Sequence, residues 1–326
     1  MARANFSIGV FIVVAVVAAG CGQSGSSNSA DQPKLPQGLK SALAPESAQF
    51  PDAGGKTLGQ LVRRYGMDSY ELLNATSFST VGRNRFAFAI ADKDNELVFG
   101  PTAVYVADGR LREPARGPFV APADLIGTEV SDPDSTDAAP PAVYSTNLDF
   151  PKSGRVTVFA LTQTSQGFVG AATAFVARSA SEDRVLRVGE KSPAVDTGVP
   201  SPARIDEACT RSPPDSMHKS NFADVVGKRP VALVIATPAF CESRVCGPVV
   251  DVAERLRSKY GGSMEFIHSE VYNQNDPKQG LRSSLKEFGV TTEPWLFTFD
   301  RSGRVAARLE GAFGARDFES AVRAAL

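Results

Sequence analysis

The chain has 326 residues, 35 basic against 36 acidic side chains and a net charge of −1. Without a long run of either sign, this balance leaves no electrostatic footprint for nucleic acid, which is not expected as a partner. Only four cysteines are present, so the position of each is informative.

Residues 1–21, MARANFSIGVFIVVAVVAAGC, place Arg3 ahead of an apolar segment from Ile8 to Ala19 interrupted only by Gly9. That segment is shorter than the roughly 20 residues a spanning helix needs, so residues 1–20 read as an export signal. The ending Ala18-Ala19-Gly20-Cys21 resembles the bacterial lipoprotein cleavage site, with Ala18 where Leu is usual. The resemblance implies lipidation of Cys21 and a chain anchored to the cell membrane on its extracytoplasmic face. An ordinary secretory signal would put the mature chain outside the cytoplasm as well. Residues 21–56, rich in Gly, Ser, Pro and Ala, have too few apolar anchors to offset their ordering entropy and read as a flexible tether. Setting Cys21 aside leaves Cys209, Cys241 and Cys246. An odd count argues against a structural disulfide framework. One redox pair with a bystander fits it.

Residues 57–190 read as one domain, strand-like in pattern from Tyr70 to about Val188. In RFAFAIAD, Phe86, Phe88 and Ile90 alternate with Ala87 and Ala89, and TAVYVADG, AVYSTNLDF, GRVTVFALTQ and FVGAATAFVAR repeat the theme between Gly, Pro and Asp clusters. This predicts an all-β sandwich that resembles immunoglobulin-like folds. It holds no Cys, no His and no Ser-His-Asp arrangement, so a binding or spacing role is expected of it. Residues 191–217 carry prolines at 193, 200, 202, 213 and 214. They predict a linker without regular elements until His218, with Cys209 inside it.

Residues 218–326 change period. PVALVIAT (230–237) is a continuous β-branched run, the mark of a strand buried on both faces. Val249, Val252, Ala253, Leu256 and Tyr260 fall at helical spacing before Gly261-Gly262. MEFIHSEVY (264–272) predicts a second strand. Asp276 as N-cap, Pro277, Leu281, Leu285 and Phe288, then Gly289, predict one helix with both terminal signals. WLFTFD and RVAARLEG predict a hairpin, and Phe318, Val322 and Leu326 a last helix. The order β-α-β-α-β-β-α is that of a small mixed sheet covered by helices.

In TPAFCESRVCGPVVD, Cys241 follows the buried strand and Cys246 lies five positions on. A thiolate at a strand-to-helix junction faces unpaired N–H groups and the positive end of the helix dipole, which lower its pKa. Continuous helix from 241 to 246 would part the Cα atoms by more than about 7 Å, beyond disulfide reach. A bridge therefore requires an unwound first turn, or a helix that begins only at Pro248. Glu242 and Arg244 read as solvated loop charges. Glu270, near the carboxyl end of its strand, is a candidate proton shuttle for the resolving thiol; a hydrogen-bonded structural role is the alternative.

Together, the strand ending in Phe240-Cys241, the second cysteine, the helix proline and Glu293-Pro294-Trp295 ahead of a hairpin resemble the thioredoxin fold. TPAFCESRVCGPVVD, EFIHSEVY and TEPWLFTFDRSGRVAARLEG are similar to actinobacterial thioredoxin-domain lipoproteins, and GEKSPAV resembles the lead-in of redoxin-type chains. The resemblance implies Cys241 as attacking thiol, Cys246 as resolving thiol and Pro294 as a cis-proline facing them. It further implies a thiol–disulfide oxidoreductase acting on protein thiols or disulfides outside the cytoplasm, with no cofactor and no metal. Two departures stand out: four residues separate the cysteines instead of two, and Phe240 replaces a tryptophan. Other readings stay open. Thr237-Pro238 ahead of Cys241 is similar to atypical two-cysteine thiol peroxidases, although one residue too far from the cysteine. Cys241, Cys246 and His268 are soft ligands for a copper-binding accessory protein. A purely structural disulfide is the simplest alternative.

Overall fold

The protein is described by a computed structural model that covers residues 35–77, 79–127, 139–241 and 243–326. The expected export signal, Cys21, residues 21–34 of the expected tether and Glu242 lie outside the described residues.

Residues 35–56 do not behave as a tether. The short helix α1 (Leu39–Ala42) buries Leu39 and Ala42 in the sandwich core. Helix α2 (Leu58–Tyr65) is opened by Thr57, which accepts from Gln60 N while the Gln60 side chain accepts from Thr57 N.

Eight strands follow: β1 (Tyr70–Asn74), β2 (Gly82–Asp92), β3 (Thr102–Ala107), β4 (Arg116–Val120), β5 (Ala123–Leu125), β6 (Ala142–Phe150), β7 (Gly154–Thr164) and β8 (Gly167–Ala177). They make two antiparallel sheets, β1-β2-β6-β5 and β4-β3-β7-β8. Alternate residues of a strand share a face. Phe86, Phe88 and Ile90 of β2 and Tyr144 of β6 therefore meet Val104, Val106, Val158 and Ala160 of the other sheet in one buried cluster. This is the expected all-β sandwich.

The opposite parity explains why residues 35–56 fold. Tyr105, Phe159 and Leu161 point to the outer face of the second sheet, where Phe50, Ala53, Leu58 and Leu61 cover them. Burying a large apolar side chain contributes about 1.5–3 kcal/mol. A few widely spaced anchors suffice when a sheet supplies the partners, and Tyr105 Oη adds a hydrogen bond to Pro51 O at 2.6 Å.

The proline-rich stretch 191–217 is likewise more than a linker. Its prolines keep it out of long elements, yet Pro202–Arg204 makes a 3-10 turn that runs into α3 (Ile205–Ala208). Lys191 bridges Arg304, Ser192 N donates to Gly303 O at 2.9 Å, and Val195 joins the core of the carboxy-terminal half. Proline removes a donor, not apolar surface, and so does not prevent burial.

That half contains α4 (Phe222–Val225), β9 (Val231–Ile235), α5 (Cys246–Tyr260), β10 (Glu265–Ser269), α6 (Ser283–Phe288), β11 (Trp295–Phe299), β12 (Val305–Glu310) and α7 (Ala315–Ala325). The sheet order is β10-β9-β11-β12, with β10 parallel to β9 and the other neighbours antiparallel. On one face, Val249, Val252 and Ala253 of α5 and Phe318 and Val322 of α7 pack on Ala232, Val234 and Leu296. On the other, Phe222, Leu285 and Phe288 pack on Val231, Leu233 and Phe297. A mixed four-stranded sheet covered in this order is a thioredoxin-like fold.

The helix expected over 276–289 is split. Asp276 caps a 3-10 turn, Pro277–Gln279, by accepting from Lys278 N, and Gly280 with φ 70° ends it. Leu281 then bridges Tyr272 before α6 starts, and Gly289 closes α6 in the left-handed region at φ 72°. Both terminal signals are used, each by a different helix.

The two halves share an interface. Asp124, 1% exposed, accepts from Gly314 N, Arg316 N and Asp317 N at 2.8–3.1 Å. A carboxylate of the sandwich thus caps α7, where the helix dipole favours negative charge. Arg85 Nε reaches Asp317 at 2.5 Å and Arg85 Nη2 reaches Ala312 O at 2.7 Å. Glu310 accepts from Ser77 N at 2.9 Å. At Gly311 (φ 74°) a Cβ would lie 1.9 Å from Ala75 O, so only glycine permits this approach.

Candidate active site

β9 is buried along its whole length, and the chain leaves it through Ala236 and Thr237, both fully buried. A turn closed by Phe240 N to Thr237 O at 3.2 Å delivers Cys241 to the surface. Arg244, at φ 59°, donates its N–H to Cys241 O at 3.2 Å and reverses the chain toward α5. Cys241 and Cys246 are joined in a disulfide with Cα atoms 6.0 Å apart. The bridge is possible because Cys241 and residues 243–245 are not helical. The helix begins two residues ahead of Pro248, at Cys246 itself. Pro248 is tolerated there because the N–H groups of a first turn have no intrahelical acceptor.

Access divides the two sulfurs: Cys241 is half-buried and Cys246 fully buried. The helix start alters the electrostatic expectation, since Cys246, and not Cys241, occupies the first helical position. Val245 at the N-cap contributes no side-chain cap, and Cys246 lies in the first turn, where backbone N–H groups carry the positive end of the helix dipole. Cys241 Sγ lies 3.3 Å from Ser243 Oγ. The floor beneath the loop comes partly from the sandwich. Val245 packs in a cluster with Ala87, Ile126 and Val143 of that half and with Ala312.

Pro294 enters β11 through a cis Glu293–Pro294 bond, and the neighbouring Trp295 pairs with Ile235 at the end of β9. This register brings the Glu293 carboxylate to the disulfide. An oxygen of Glu293 and the sulfurs of Cys241 and Cys246 all lie within 4.8 Å of one another. In the sequence the one signal for Glu293 is its adjacency to Pro294.

Glu270 is placed otherwise. It is 1% exposed, and its Oε1 accepts from Thr210 N at 2.7 Å and Thr210 Oγ1 at 2.9 Å. Thr210 Oγ1 in turn accepts from Ala239 N at 3.2 Å. Glu270 therefore supports the backbone two residues before Cys241, and it is not in the group that surrounds the sulfurs.

His268 is not with those sulfurs either. Its Nδ1 lies 2.7 Å from Asp215 Oδ2 and its Nε2 3.1 Å from Ala236 O. A carbonyl only accepts, so Nε2 carries a proton. The same Asp215 oxygen takes His218 Nε2 at 3.2 Å and the Cys209 thiol at 3.1 Å. Cys209, expected as a bystander in a linker, is buried with both histidines of the chain. Burial works against ionisation of Asp215, but hydrogen bonds from His218 and His268 override it and hold the carboxyl well below its ordinary range. Burial likewise opposes charge on both imidazoles, and the hydrogen bond to Asp215 raises each above its usual value. For Cys209 burial acts upward, while hydrogen bonds with His218 and His268 bring the net shift down.

The copper set Cys241, Cys246 and His268 is thus not brought together. Thr237 Oγ1 is buried and makes no hydrogen bond among the described residues, so it lies away from the surface where a peroxide would meet Cys241. In the sandwich, a 690 Å³ depression is lined by Arg110, Leu111, Arg112, Arg155, Thr157 and residues 172–174. It contains no acid, histidine or cysteine.

No protein-family model and no curated protein matches the chain. Solved structures do. A thiol:disulfide interchange protein of the thioredoxin family from Chlorobium tepidum TLS is 16% identical with a TM-score of 0.30, over 42% of this chain and 97% of that one. MTB dsbF is 19% identical with a TM-score of 0.27, over 40% of this chain and all of its own. The exposed lipoprotein thioredoxin Etrx1 of Streptococcus pneumoniae is 12% identical with a TM-score of 0.26, over 32% of this chain and 90% of its own.

Proposed function

We propose that the chain is a thiol–disulfide oxidoreductase that works outside the cytoplasm, tethered to the membrane through Cys21, with Cys241 and Cys246 as its redox couple. The supporting observation is the asymmetry of that couple. A half-exposed sulfur is bridged to a buried one at the start of a helix, with the carboxylate of Glu293, the residue before a cis-proline, beside them.

In the reducing direction, Cys241 thiolate attacks one sulfur of a substrate disulfide. An S–S bond forms between Cys241 and the substrate as the substrate's own S–S bond breaks, and the second substrate sulfur leaves as a thiolate that takes a proton. Cys246 then gives its proton to Glu293 and attacks Cys241 Sγ. The mixed disulfide breaks, the substrate leaves with two thiols, and the Cys241–Cys246 bond holds the two electrons' worth of oxidation. The reverse sequence oxidises a dithiol. We place Glu293, rather than Glu270, as the proton acceptor, because a general base must lie within reach of the proton it takes. Phe240, 40% exposed beside Cys241 with its ring 6.3 Å from that of Tyr272, offers an apolar rim to an extended protein substrate.

The decisive experiment is reduction of a protein disulfide by the wild type and by Cys241→Ser, with hydrogen peroxide as the competing substrate. Disulfide turnover lost in Cys241→Ser supports the reading. Fast peroxide turnover would favour a peroxidase, and a bridge that resists strong dithiols would leave a structural disulfide. A standard potential near about −270 mV would make the couple a reductant and one near about −120 mV an oxidant. Detergent partitioning of the wild type against Cys21→Ala tests the anchor separately.

A further inference from the structure

The strongest unexplained feature lies behind the active site. Cys209, Asp215, His218 and His268 come from the proline-rich stretch, the start of the carboxy-terminal half and β10, and all four are buried. Their donor atoms lie within 4.8 Å of one another. Three groups, the Cys209 thiol and one nitrogen from each imidazole, converge on the single oxygen Asp215 Oδ2 at 3.1, 3.2 and 2.7 Å. A carboxylate has about four lone-pair directions over two oxygens. The second oxygen, Oδ1, already accepts from Met217 N at 2.9 Å, so three donors crowd an atom suited to two.

We propose that this cluster is a structural zinc site with Cys209 Sγ, Asp215 Oδ2, His218 Nε2 and His268 Nδ1 as its four ligands. Bond lengths of about 2.0–2.3 Å in a tetrahedron set the ligand atoms roughly 3.3–3.7 Å apart, so the ion needs Asp215 Oδ2 to withdraw by less than about 1 Å. The charges favour this ion. A thiolate, a carboxylate and two neutral imidazoles carry −2, and a divalent cation makes the buried site neutral, whereas Cu(I) would leave a net charge in a dry interior. Four protein ligands close the sphere, as in structural rather than catalytic sites. The supporting contacts also match. His268 Nε2–H is held by Ala236 O at 3.1 Å, which turns Nδ1 toward the site, and Met217 N orients Asp215. Binding releases the thiol proton and any proton on the ligating imidazole nitrogens. It pins residues 209–218 to β10 and keeps the third thiol out of exchange with Cys241 and Cys246. This inference does not depend on the redox reading.

The test uses the full chain carrying Cys241→Ser and Cys246→Ser together, so that Cys209 is the one thiol left among the described residues. The metal-stripped, reduced protein is titrated with Co²⁺. The expected result is saturation at one equivalent, with the intense visible bands of tetrahedral cobalt and a near-ultraviolet thiolate charge-transfer band, all displaced by Zn²⁺. Adding Cys209→Ser removes the charge-transfer band and weakens Zn²⁺ at least about 100-fold; His218→Gln weakens it comparably. Because a ligand variant can fail to fold, X-ray absorption at the zinc edge of the wild-type chain provides a check without mutation, with one sulfur and three nitrogen or oxygen neighbours expected. No saturable binding, an octahedral cobalt spectrum, a charge-transfer band that survives Cys209→Ser, or a zinc edge without sulfur would each overturn the proposal.

Discussion

Cys241 is half-buried on a loop ahead of a helix, bridged to a partner and open to an incoming sulfur. Cys209 is 4% exposed, hydrogen-bonded to a carboxylate and flanked by two imidazoles. Both depend on the sheet edge where β9 and β10 end, and they are connected through Thr210, which follows Cys209 and accepts from Ala239 N in the loop that leads to Cys241. Thiol chemistry depends on access before it depends on acidity. In the proposed reading one sulfur reacts and the other holds.

The sharpest way to break that comparison is to remove one sulfur of the bridge. Cys241→Ser is expected to abolish disulfide turnover, down to the uncatalysed rate. Cys246→Ser should instead accumulate mixed disulfides with partner proteins, visible on non-reducing gels, because the attacking sulfur remains and nothing releases the adduct. Adducts in Cys241→Ser, and none in Cys246→Ser, would reverse the roles.

Removing the centre of the other cluster should damage the fold, not the chemistry. In the metal-free protein, Asp215→Ala leaves two buried imidazoles and a thiol without their shared acceptor. Breaking one partner of a buried charged pair costs about 3–5 kcal/mol. Urea unfolding of chelator-treated protein measures it, and a loss below about 1 kcal/mol would mean that the cluster adds little to stability.

The two centres were unequally legible in the sequence, and the reason is sequence distance. Cys241 and Cys246 lie five positions apart beside a β-branched run, so local pattern alone places them at the end of a buried strand. Cys209 and His268 lie 59 positions apart by their numbers, and only the docking of residues 209–217 on the end of β10, through Thr210 with Glu270 and His268 N with Met217 O, makes them neighbours. Proline density predicts no regular element before His218, yet Pro202–Arg204 and α3 form there, and it says nothing about burial. The same blindness affected residues 35–56, where Leu39, Phe50 and Ala53 are too sparse to show periodicity and find their partners on a sheet face encoded elsewhere. Glu293 is hidden differently: no local pattern distinguishes it, and only the pairing of β11 with β9 carries its carboxylate to the sulfurs.

A smaller effect separates the carboxylates around the active half. Glu293→Gln is expected to slow resolution of the mixed disulfide by about 100-fold, the lower range for loss of a general base, and to leave the first attack by Cys241 nearly unchanged. Glu270→Gln keeps a hydrogen-bond acceptor for Thr210 and should slow resolution far less. Stopped-flow measurement of both steps distinguishes them, and a larger loss in Glu270→Gln would return the proton to that residue.

The smallest expected effect concerns the interface between sandwich and redox half, and it depends on pH. Burial acts to raise the Asp317 pKa, but Arg85 first and Arg316 next, with the Ser145 hydrogen bond, bring it below its ordinary value. A depressed carboxylate contributes stability that is fully present above its unfolded pKa of about 3.9 and is lost as pH falls through the lower folded value. Glu310 has the opposite sign. Its pKa is raised by burial, so its contribution is complete below the unfolded value and is lost as pH rises through the folded one; it largely cancels when two proteins that both contain it are compared. Asp317→Asn should therefore be less stable than wild type by about 2 kcal/mol at neutral pH, the scale of a hydrogen bond to a charged group. The gap should close progressively below about pH 4 as wild-type Asp317 takes up its proton. Urea titrations of both proteins across that range measure it. A gap that persists unchanged into strong acid would assign the effect to packing around the substituted side chain and not to the ion pair between Asp317 and Arg85.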